Sequence, residues 1–400
     1  MLEQVISNKA GWTRVAFGDV VRKVSDKVDP WESGLERYVA GDHMDTDDLR
    51  IRRWGLIGDD YLGPAFHMRF KPGHVLYGSR RTYLRKVALA NFEGITANTT
   101  YVLEGKDPNV LMPELLPFIM QTEAFHAHSI ARSKGSVNPY VNFSDIECFE
   151  FALPPIQEQA RLVEVMSAHW NALEGIRSTE ATLASLQSAF IEDLIEKKHP
   201  DAPSVRVSQL LREGPRNGKS PQAAERENGF KTVSISAVAN GVFNPDGCIK
   251  FVDITSSEAA PFLVQEGDAY AIRGNGNRNL MGKVGLVTQA YPDLIYPDLL
   301  IRLRFDENKI LKEFAAAQWN HPSVHIQLVS RAKSSNGIWK VNGQDIRAHT
   351  LRVPTLNAQQ SAVSVLSEFQ DQAINLQKRF RQLRAIQTFL YDQAFAADVR

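Results

Sequence analysis

The sequence repeats itself at half its own length, and this repeat restricts the possible folds more than any other feature. Leu153–Gln159, which reads LPPIQEQ, matches Val353–Gln359, which reads VPTLNAQ, at an offset of 200 in a chain of 400 residues. The same offset pairs Val141-Asn142 with Val341-Asn342, and it falls to about 190 near the N-terminus. A drifting offset indicates insertions within a duplicated unit. We therefore predict two similar halves of about 200 residues rather than one large domain.

Each half ends in a long segment that is typical of a helix. After Pro155 the chain reaches Lys198 without another proline and with one glycine, Gly175. Mostly apolar residues recur in it every 3.5 positions, which predicts a coiled coil. The two helices either pair with each other, antiparallel, as a spacer, or pack separately on their own domain or on a partner; we predict pairing. The predicted seam residues are Leu162, Met166, Leu173, Ile176, Leu183, Phe190, Leu366, Phe369, Leu376, Phe380, Leu383 and Leu390.

Short apolar runs between Gly, Pro and Asn turns precede each long helix, and they predict strands. Segments 113–130 and 309–329 are predicted to be helical. The fold class is therefore α+β (mixed α/β), with spacings too irregular for a doubly wound parallel sheet. The predicted divisions are 1–152 and 200–352 for the mixed domains and 153–199 and 353–400 for the long helices. The predicted strands include 75–77, 87–90, 100–103, 232–235, 269–272, 284–287 and 300–303.

Overall charge argues against a nucleic-acid binder, because the formal net charge is zero. The charge is uneven, however, since residues 50–100 contain nine Lys or Arg and three acidic residues. Two cysteines, Cys148 and Cys248, are too few for a disulfide framework or a four-cysteine zinc site. No run approaches the roughly 20 apolar residues of a membrane span, and the N-terminus has no signal-peptide pattern, so a cytoplasmic protein is expected.

Three segments resemble catalytic motifs only in part. Gly214–Ser220 has three residues between its glycines where a phosphate-binding loop needs four, and we interpret it as a turn. Asn138-Pro139-Tyr140 lacks the second proline of an amino-methyltransferase loop and is also interpreted as a turn. Asp298, Glu307 and Lys309 have the residue types of a metal-dependent nuclease, but the first half has no counterpart. No catalytic residue and no metal ligand is predicted.

The remaining chemistry is that of binding. Segments 80–86 and 132–136 are basic, and their counterparts at 273–283 and 331–337 combine cations with asparagines. Arg and Asn side chains can bond to base edges, and Lys neutralises phosphates. Segment 274–277 is interpreted as a flexible loop. The candidate DNA-contacting residues are Arg52, Arg53, Lys71, Arg80, Arg81, Tyr83, Arg85, Lys86, Arg132, Lys134, Arg273, Asn275, Asn277, Arg278, Lys283 and Lys333.

Together these features resemble the specificity subunit of Type I restriction–modification enzymes. The resemblance rests on Leu153–Gln159, Gly73–Gly78 and Tyr83–Ala88, and the second copy departs from it at Thr355 and Ala358. It implies two target-recognition domains that read a bipartite double-stranded DNA target, with a spacer set by the helices. It also implies two methyltransferase subunits and a motor-nuclease subunit as partners. S-adenosylmethionine, ATP and Mg would be bound by those partners, and this chain would bind no cofactor.

Two other functions remain as alternatives to a DNA-reading scaffold. One is a stand-alone metal-dependent endonuclease that uses Asp298, Glu307 and Lys309. Magnesium-dependent cleavage by the purified chain, abolished by Asp298→Ala, would establish it. The other is a structural coiled-coil tether without sequence preference, which a footprint with two fixed half-sites would exclude.

Overall fold

The computed structural model describes residue 9 and residues 11–59, 61–224, 229–335 and 337–395. The chain divides into two compact units. Unit 1 comprises Met1–Arg177 with Gln377–Arg400, and unit 2 comprises Ser178–Leu376. No described helix is long and apolar enough to cross a bilayer.

The described part of unit 1 contains three antiparallel or mixed sheets. They have the strand orders β1-β10, β2-β9-β6-β7 and β4-β3-β8-β5, and only the β3–β8 pair is parallel. The strands are β1 (Thr13–Ala16), β2 (Val21–Lys23), β3 (Arg37–Val39), β4 (Gly55–Leu56), β5 (Phe66–Phe70), β6 (Val75–Gly78), β7 (Val87–Leu89), β8 (Gly94–Ala97), β9 (Thr100–Gly105) and β10 (Glu150–Leu153). The helices are α1 (Phe17–Val20), α2 (Leu116–Ile119), α3 (Glu123–Ala131), α4 (Phe143–Glu147) and the long α5 (Ile156–Asp193).

Unit 2 repeats this arrangement with additions at its edges. Its sheets have the orders β11-β25, β12-β22-β18-β20-β15-β14, β16-β13-β21-β17 and β19-β24-β23. The strands are β11 (Ser204–Arg206), β12 (Arg216–Asn217), β13 (Lys231–Val233), β14 (Val238–Ala239), β15 (Val242–Phe243), β16 (Ile249–Phe251), β17 (Leu263–Val264), β18 (Ala269–Ile272), β19 (Gly274–Asn275), β20 (Val284–Leu286), β21 (Tyr291–Ile295), β22 (Leu300–Leu303), β23 (Lys333–Ser335), β24 (Ile338–Lys340) and β25 (Thr350–Arg352). The helices are α6 (Val207–Leu210), α7 (Ser256–Ala259), α8 (Lys312–Asn320), α9 (Pro322–Arg331), α10 (Gly343–Ala348) and the long α11 (Leu356–Phe395).

Equivalent central strands explain why the apolar runs are continuous rather than alternating. In β6, Val75 and Tyr77 pack into one core cluster and Leu76 into another. In β18, the residue pairs 269/271 and 270/272 are likewise divided between two clusters. A strand covered on both faces needs apolar side chains on both. The predicted duplication and the mixed α+β class are therefore confirmed.

Several local predictions need correction. The helical segments 113–130 and 309–329 are each broken: Thr122 caps α3 by accepting a hydrogen bond from the Phe125 amide at 3.1 Å, and Pro322 occupies the first turn of α9. Proline favours that position because no intrahelical partner is lost there. The turn at 214–220 contains β12, and the flexible loop at 274–277 begins with β19. An edge strand of two residues is too short to show the alternation of apolar and polar residues from which a strand is predicted.

The repeated glutamine of the helix-start motif has the same role in both units. The side-chain oxygen of Gln159 accepts from the Met112 amide at 2.8 Å, and its amide nitrogen donates to the carbonyls of Val110 and Pro154. Gln359 makes the equivalent three bonds, to the backbone of residues 311, 309 and 354. Both side chains are buried. The motif therefore ties the first turn of each long helix to the loop before α2 or α8.

The long helices run antiparallel within each unit. In unit 1, the His169 imidazole lies 2.9 Å from the carbonyl oxygen of Leu383, and Leu390 packs in the same cluster as Met166. In unit 2, the rings of Phe190 and Phe369 are 6.2 Å apart. Residue numbers rise on α5 as they fall on α11, so the predicted antiparallel coiled coil is confirmed.

An ion-pair cluster with two buried carboxylates and three partly exposed arginines joins the helix pair to the mixed part of unit 1. Asp48 accepts hydrogen bonds from Arg52, at 2.8 Å, and from Arg177. Glu174 accepts from Arg52 and lies 3.3 Å from the guanidinium of Arg50. Burial alone would raise the pKa of Asp48, but the hydrogen bond from Arg52 and the charge of Arg177 hold it below its ordinary value. We call these five residues the ion-pair cluster.

Candidate nucleic-acid interface

Two basic segments of unit 1 that are distant in sequence lie side by side. Residues 134–140 form a hairpin, hairpin 1, in which the Lys134 amide donates to the Tyr140 carbonyl at 2.7 Å and the reverse bond is 2.9 Å. Tyr140 also forms a bridge with Arg80, and the Arg81 amide donates to the Pro139 carbonyl at 2.6 Å. The structure thus brings segments 80–86 and 132–136 to one surface.

This surface presents cations that the fold does not use. The Arg80 guanidinium lies 5.9 Å from the centroid of the Tyr140 ring, and both side chains are exposed. Arg81 is exposed and has a left-handed backbone, with φ of 50°. Among the described residues, the side chains of Arg81 and Arg132 have no hydrogen bond or ion pair. Unpaired guanidinium groups on one surface are suited to phosphates or base edges.

Other candidate residues of unit 1 are engaged within the fold. Arg85 pairs with Glu123 at 2.9 Å and with Asp47 at 2.8 Å. Burial lowers the pKa of Arg85, but its hydrogen bonds to the carboxylates of Glu123 and Asp47 and their negative charges outweigh this effect and leave the pKa raised. Lys134 pairs with Asp145 at 3.0 Å. These partners make structural roles for Arg85 and Lys134 the best-supported interpretation.

The remaining candidates of unit 1 also divide into paired and exposed groups. Arg52 belongs to the ion-pair cluster, Arg53 pairs with Asp45, and the Lys86 ammonium donates to the Gly41 carbonyl. Lys71 and Tyr83 are exposed. The pairing of Arg52 and Arg53 with acidic residues explains why a count of basic residues overstates the charge available to a ligand.

Unit 2 builds the equivalent surface as a three-stranded sheet. Residues 333–340 form hairpin 2, in which β23 pairs with β24, and β19 adds to the other side through Gly274 and Lys340. Asn336 lies outside the described residues. Hairpin 2 occupies the place of hairpin 1, because Lys333 and Lys340 correspond to Lys134 and Tyr140 at offsets of 199 and 200.

Most predicted contact residues of unit 2 have internal partners. The Asn275 and Asn277 oxygens accept from the amides two residues ahead, at 2.8 and 2.9 Å, and form turns. Arg278 donates to the Val329 carbonyl at 3.0 Å and lies 4.5 Å from the Trp339 ring centroid. The side-chain amide nitrogens of both asparagines have no hydrogen bond among the described residues.

Three cations of unit 2 differ in whether their side chains are free to contact a ligand. Burial lowers the pKa of Lys283, and its ammonium donates to the Asn320 carbonyl at 2.6 Å. Arg273 donates to the Asp298 carbonyl at 3.3 Å. Lys333 is exposed and, within the described part of the chain, its ammonium has no acceptor.

Sequence reasoning missed Tyr140, Trp339 and Lys340. Lys340 is exposed, and its ammonium is unbonded to any described residue. The rings of Tyr140 and Trp339 lie against the guanidinium groups of Arg80 and Arg278, respectively. The 200-residue offset that pairs Val141 with Val341 also pairs position 140 with position 340. Extending the repeat comparison by one residue toward the N-terminus would therefore have identified these two positions.

The predicted seam residues occupy the helix pair of each unit. Leu162, Met166, Leu173, Leu366 and Leu390 are buried. The half-buried seam residues are Ile176, Leu183, Phe190, Phe369, Leu376, Phe380 and Leu383. Every predicted seam position is thus at least half buried, as a packed seam requires.

The residues of the nuclease alternative do not converge. Asp298 bonds to the Ser220 hydroxyl at 2.6 Å and precedes β22, whereas Glu307 and Lys309 follow that strand. Glu307 pairs with Lys312 and Lys309 with Asp306. Within the described residues, no three His, Cys, Asp or Glu side chains are placed to hold a metal ion.

The comparisons with known proteins agree with this geometry. The pattern that defines the Type I restriction modification DNA specificity domain matches residues 12–183. The chain is 24% identical over 292 residues to the Type I restriction enzyme EcoKI specificity subunit of Escherichia coli strain K12, covering 68% of this chain and 62% of the relative. It is 24% identical over 204 residues to the EcoDI specificity subunit of Escherichia coli, covering 48% and 45%. The matches thus span less than two thirds of either curated relative.

The fold is similar to that of a solved structure. The crystal structure of a Type-I restriction-modification system S subunit from M. genitalium is similar with a TM-score of 0.52 and 14% sequence identity, covering 97% of both chains. At that identity the similarity concerns the fold alone. It extends the comparison to the second half, which the domain pattern does not reach.

Proposed function

We propose that the chain is a specificity subunit of a Type I restriction–modification system and that it reads a bipartite DNA target, one half-site for each unit. The observation that carries the proposal is the repeated surface: hairpins 1 and 2 occupy equivalent places and present exposed cations next to aromatic rings. Arg80 and Arg81 face one half-site, and Lys333 and Lys340 face the other. Because the side chains at these equivalent places differ, the two units would recognise two different short base sequences, called words below.

The paired helices would set the distance between these words. Removing one heptad from each helix shortens the pair by about 10 Å, since each helical residue contributes about 1.5 Å. Residues 178–184 and 372–378 are the segments to delete, because the antiparallel register set by His169 with Leu383 and by Phe190 with Phe369 places them opposite each other, and both the ion-pair cluster and residue 186 lie outside them. We expect the spacer to shorten by about three base pairs, at roughly 3.4 Å per base pair. An unchanged spacer length would show that the helices do not set the distance between the two half-sites.

The same helices are proposed to hold two methyltransferase subunits, with a motor-nuclease subunit joining for restriction. Leu186 and Ile386 are exact repeat equivalents, and their exposed fractions are 56% and 52%. Two similar apolar positions related by the repeat suit two copies of one partner. Leu186→Glu should weaken one copy and Ile386→Glu the other, as measured by the stoichiometry of the purified complex.

The partner subunits would carry out the catalytic steps. The methyltransferase subunits would bind S-adenosylmethionine and flip out the adenine to be methylated, and the motor-nuclease would use ATP and Mg. This chain's side chains would select and position the DNA. The complex would act on DNA in the cytoplasm.

Methylation mapping tests the proposal directly. DNA from cells that carry the chain with its methyltransferase is sequenced for methylated adenine, and cells without this chain serve as the control. We expect one recurring target of two defined words separated by a constant number of unspecified bases. Methylation without a common target, or at one continuous word, would contradict the reading of two half-sites.

A further inference from the structure

An apolar side chain stands at the tip of hairpin 1. Val137 is 93% exposed, the largest exposed fraction among the described large apolar residues that protrude from the surface. It lies midway between Lys134 and Tyr140, whose mutual backbone bonds of 2.7 and 2.9 Å close the hairpin. The tip therefore projects away from the core on a short, hydrogen-bonded stem.

The turn itself does not require valine. Gly135 supplies the left-handed conformation, with φ of 91°, and Ser136, Asn138 and Pro139 are ordinary turn residues. A β-branched apolar residue is disfavoured in a turn and gains nothing from burial at this exposure. Single exposed apolar residues are common on protein surfaces, so the significance of Val137 depends on where it lies.

That position is on the proposed DNA surface. The Arg81 amide bonds to Pro139, two residues from Val137, and the exposed guanidinium groups of Arg80 and Arg81 flank the stem. Phosphates would be held by these cations and offer no apolar group to the tip. Among base edges in the major groove, the thymine 5-methyl group is the apolar feature that a protein side chain can recognise.

We propose that Val137 reads a thymine by contact with its 5-methyl group. The inference rests on the proposed function and names a specificity-determining residue within it. Hairpin 2 differs at this place, since its described tip contains Gly337, with φ of 75°, followed by Ile338 at 41% exposure. The thymine contact therefore belongs to the half-site of unit 1.

Deoxyuridine removes only the methyl group, so it isolates this contact. The assembled complex is titrated with duplexes that carry its mapped target, in which each thymine of the unit 1 half-site is replaced singly by deoxyuridine. We expect one replacement to weaken binding about fourfold, the value of burying one methyl-sized group. In Val137→Ala the affinity for the thymine duplex should fall by a similar factor, and the same replacement should have no further effect.

Two controls separate this contact from other causes. Val137→Ile keeps an apolar tip and should remain sensitive to the replacement, and deoxyuridine in the unit 2 half-site should leave the effect of Val137→Ala unchanged. Equal sensitivity to deoxyuridine in wild type and Val137→Ala would overturn the inference, as would a half-site in which no replacement matters. Either result would leave the two-word target intact, whereas binding without any preferred target would overturn the proposed function itself.

Discussion

Units 1 and 2 share their sheets and helix-start glutamines but differ in how the helix pair is attached. In unit 1, Glu174 and Asp48 are buried among arginines in the ion-pair cluster. The repeat equivalent of Glu174 in unit 2 is Ile374, whose side chain is 52% exposed. Unit 2 instead packs the ring of Phe190 on that of Phe369. The shared parts build each unit, and the attachment of the helices has diverged between them.

This difference has an energetic consequence. A buried ion pair contributes little net stability relative to an apolar contact of similar size, but removing one partner leaves an uncompensated buried charge. Unit 1 should therefore be more sensitive than unit 2 to a single substitution at the helix attachment. An ionic attachment also fixes one geometry, because Arg52 must reach Asp48 and Glu174 at once.

The largest expected effect is that of Glu174→Ala. It leaves Arg50 without this carboxylate and leaves Arg52 and Arg177 with Asp48 alone. Because these arginines are partly exposed, we expect unit 1 to lose about 3 kcal/mol of unfolding free energy, the low end of the range for a broken buried pair. Ile374→Ala is the matched control at the same repeat position, and it should change the unfolding free energy of unit 2 by less than about 0.5 kcal/mol because the side chain is exposed. Hydrogen exchange of the full chain, resolved by peptide, assigns each loss to its unit. Equal losses for the two variants would refute the asymmetry.

The second prediction concerns what the units share. Gln159→Leu and Gln359→Leu each remove three hydrogen bonds to buried or partly buried backbone groups, and we expect each to cost about 2 to 3 kcal/mol of unfolding free energy. The two losses should be similar, and hydrogen exchange should place each in its own unit. A loss confined to one of them would mean that the repeated motif has one structural role and one incidental copy.

The sequence predicted features that repeat or follow a regular period. The 200-residue offset, the paired helices and the central strands at 75–78 and 269–272 could be found because many residues contribute to each pattern. The contact surface was harder to predict because a charge count does not distinguish paired from free cations. Arg85 is next to Lys86 in sequence, but its partners Asp47 and Glu123 are about 38 residues away on either side, and only the fold brings them together.

The third prediction tests which arginine of segment 80–86 contacts DNA. Arg81→Ala removes an exposed guanidinium, and we expect about a tenfold loss of affinity, within the 1 to 3 kcal/mol range of a base contact. The loss should depend on the unit 1 half-site and leave the unfolding free energy unchanged. Arg85→Ala serves as the contrast, since it breaks the pairs with Asp47 and Glu123 and should lower the stability of unit 1. If Arg81→Ala weakens all sequences equally, its guanidinium contacts a phosphate.

The smallest expected effects are those of the exposed lysines on hairpin 2. Lys333→Ala and Lys340→Ala should each reduce the slope of log affinity against log salt concentration by about 0.9, the value for one phosphate contact. The order of preference among target sequences should stay the same, because a phosphate contact carries no sequence information. Lys283→Ala is the internal control: its ammonium donates to the Asn320 carbonyl, so the slope should not change. An equal change of slope for Lys283→Ala would show that net charge, rather than the position of the lysine on hairpin 2, governs the electrostatic part of binding. The difference in side chains between the two hairpins would then have little influence on their phosphate contacts.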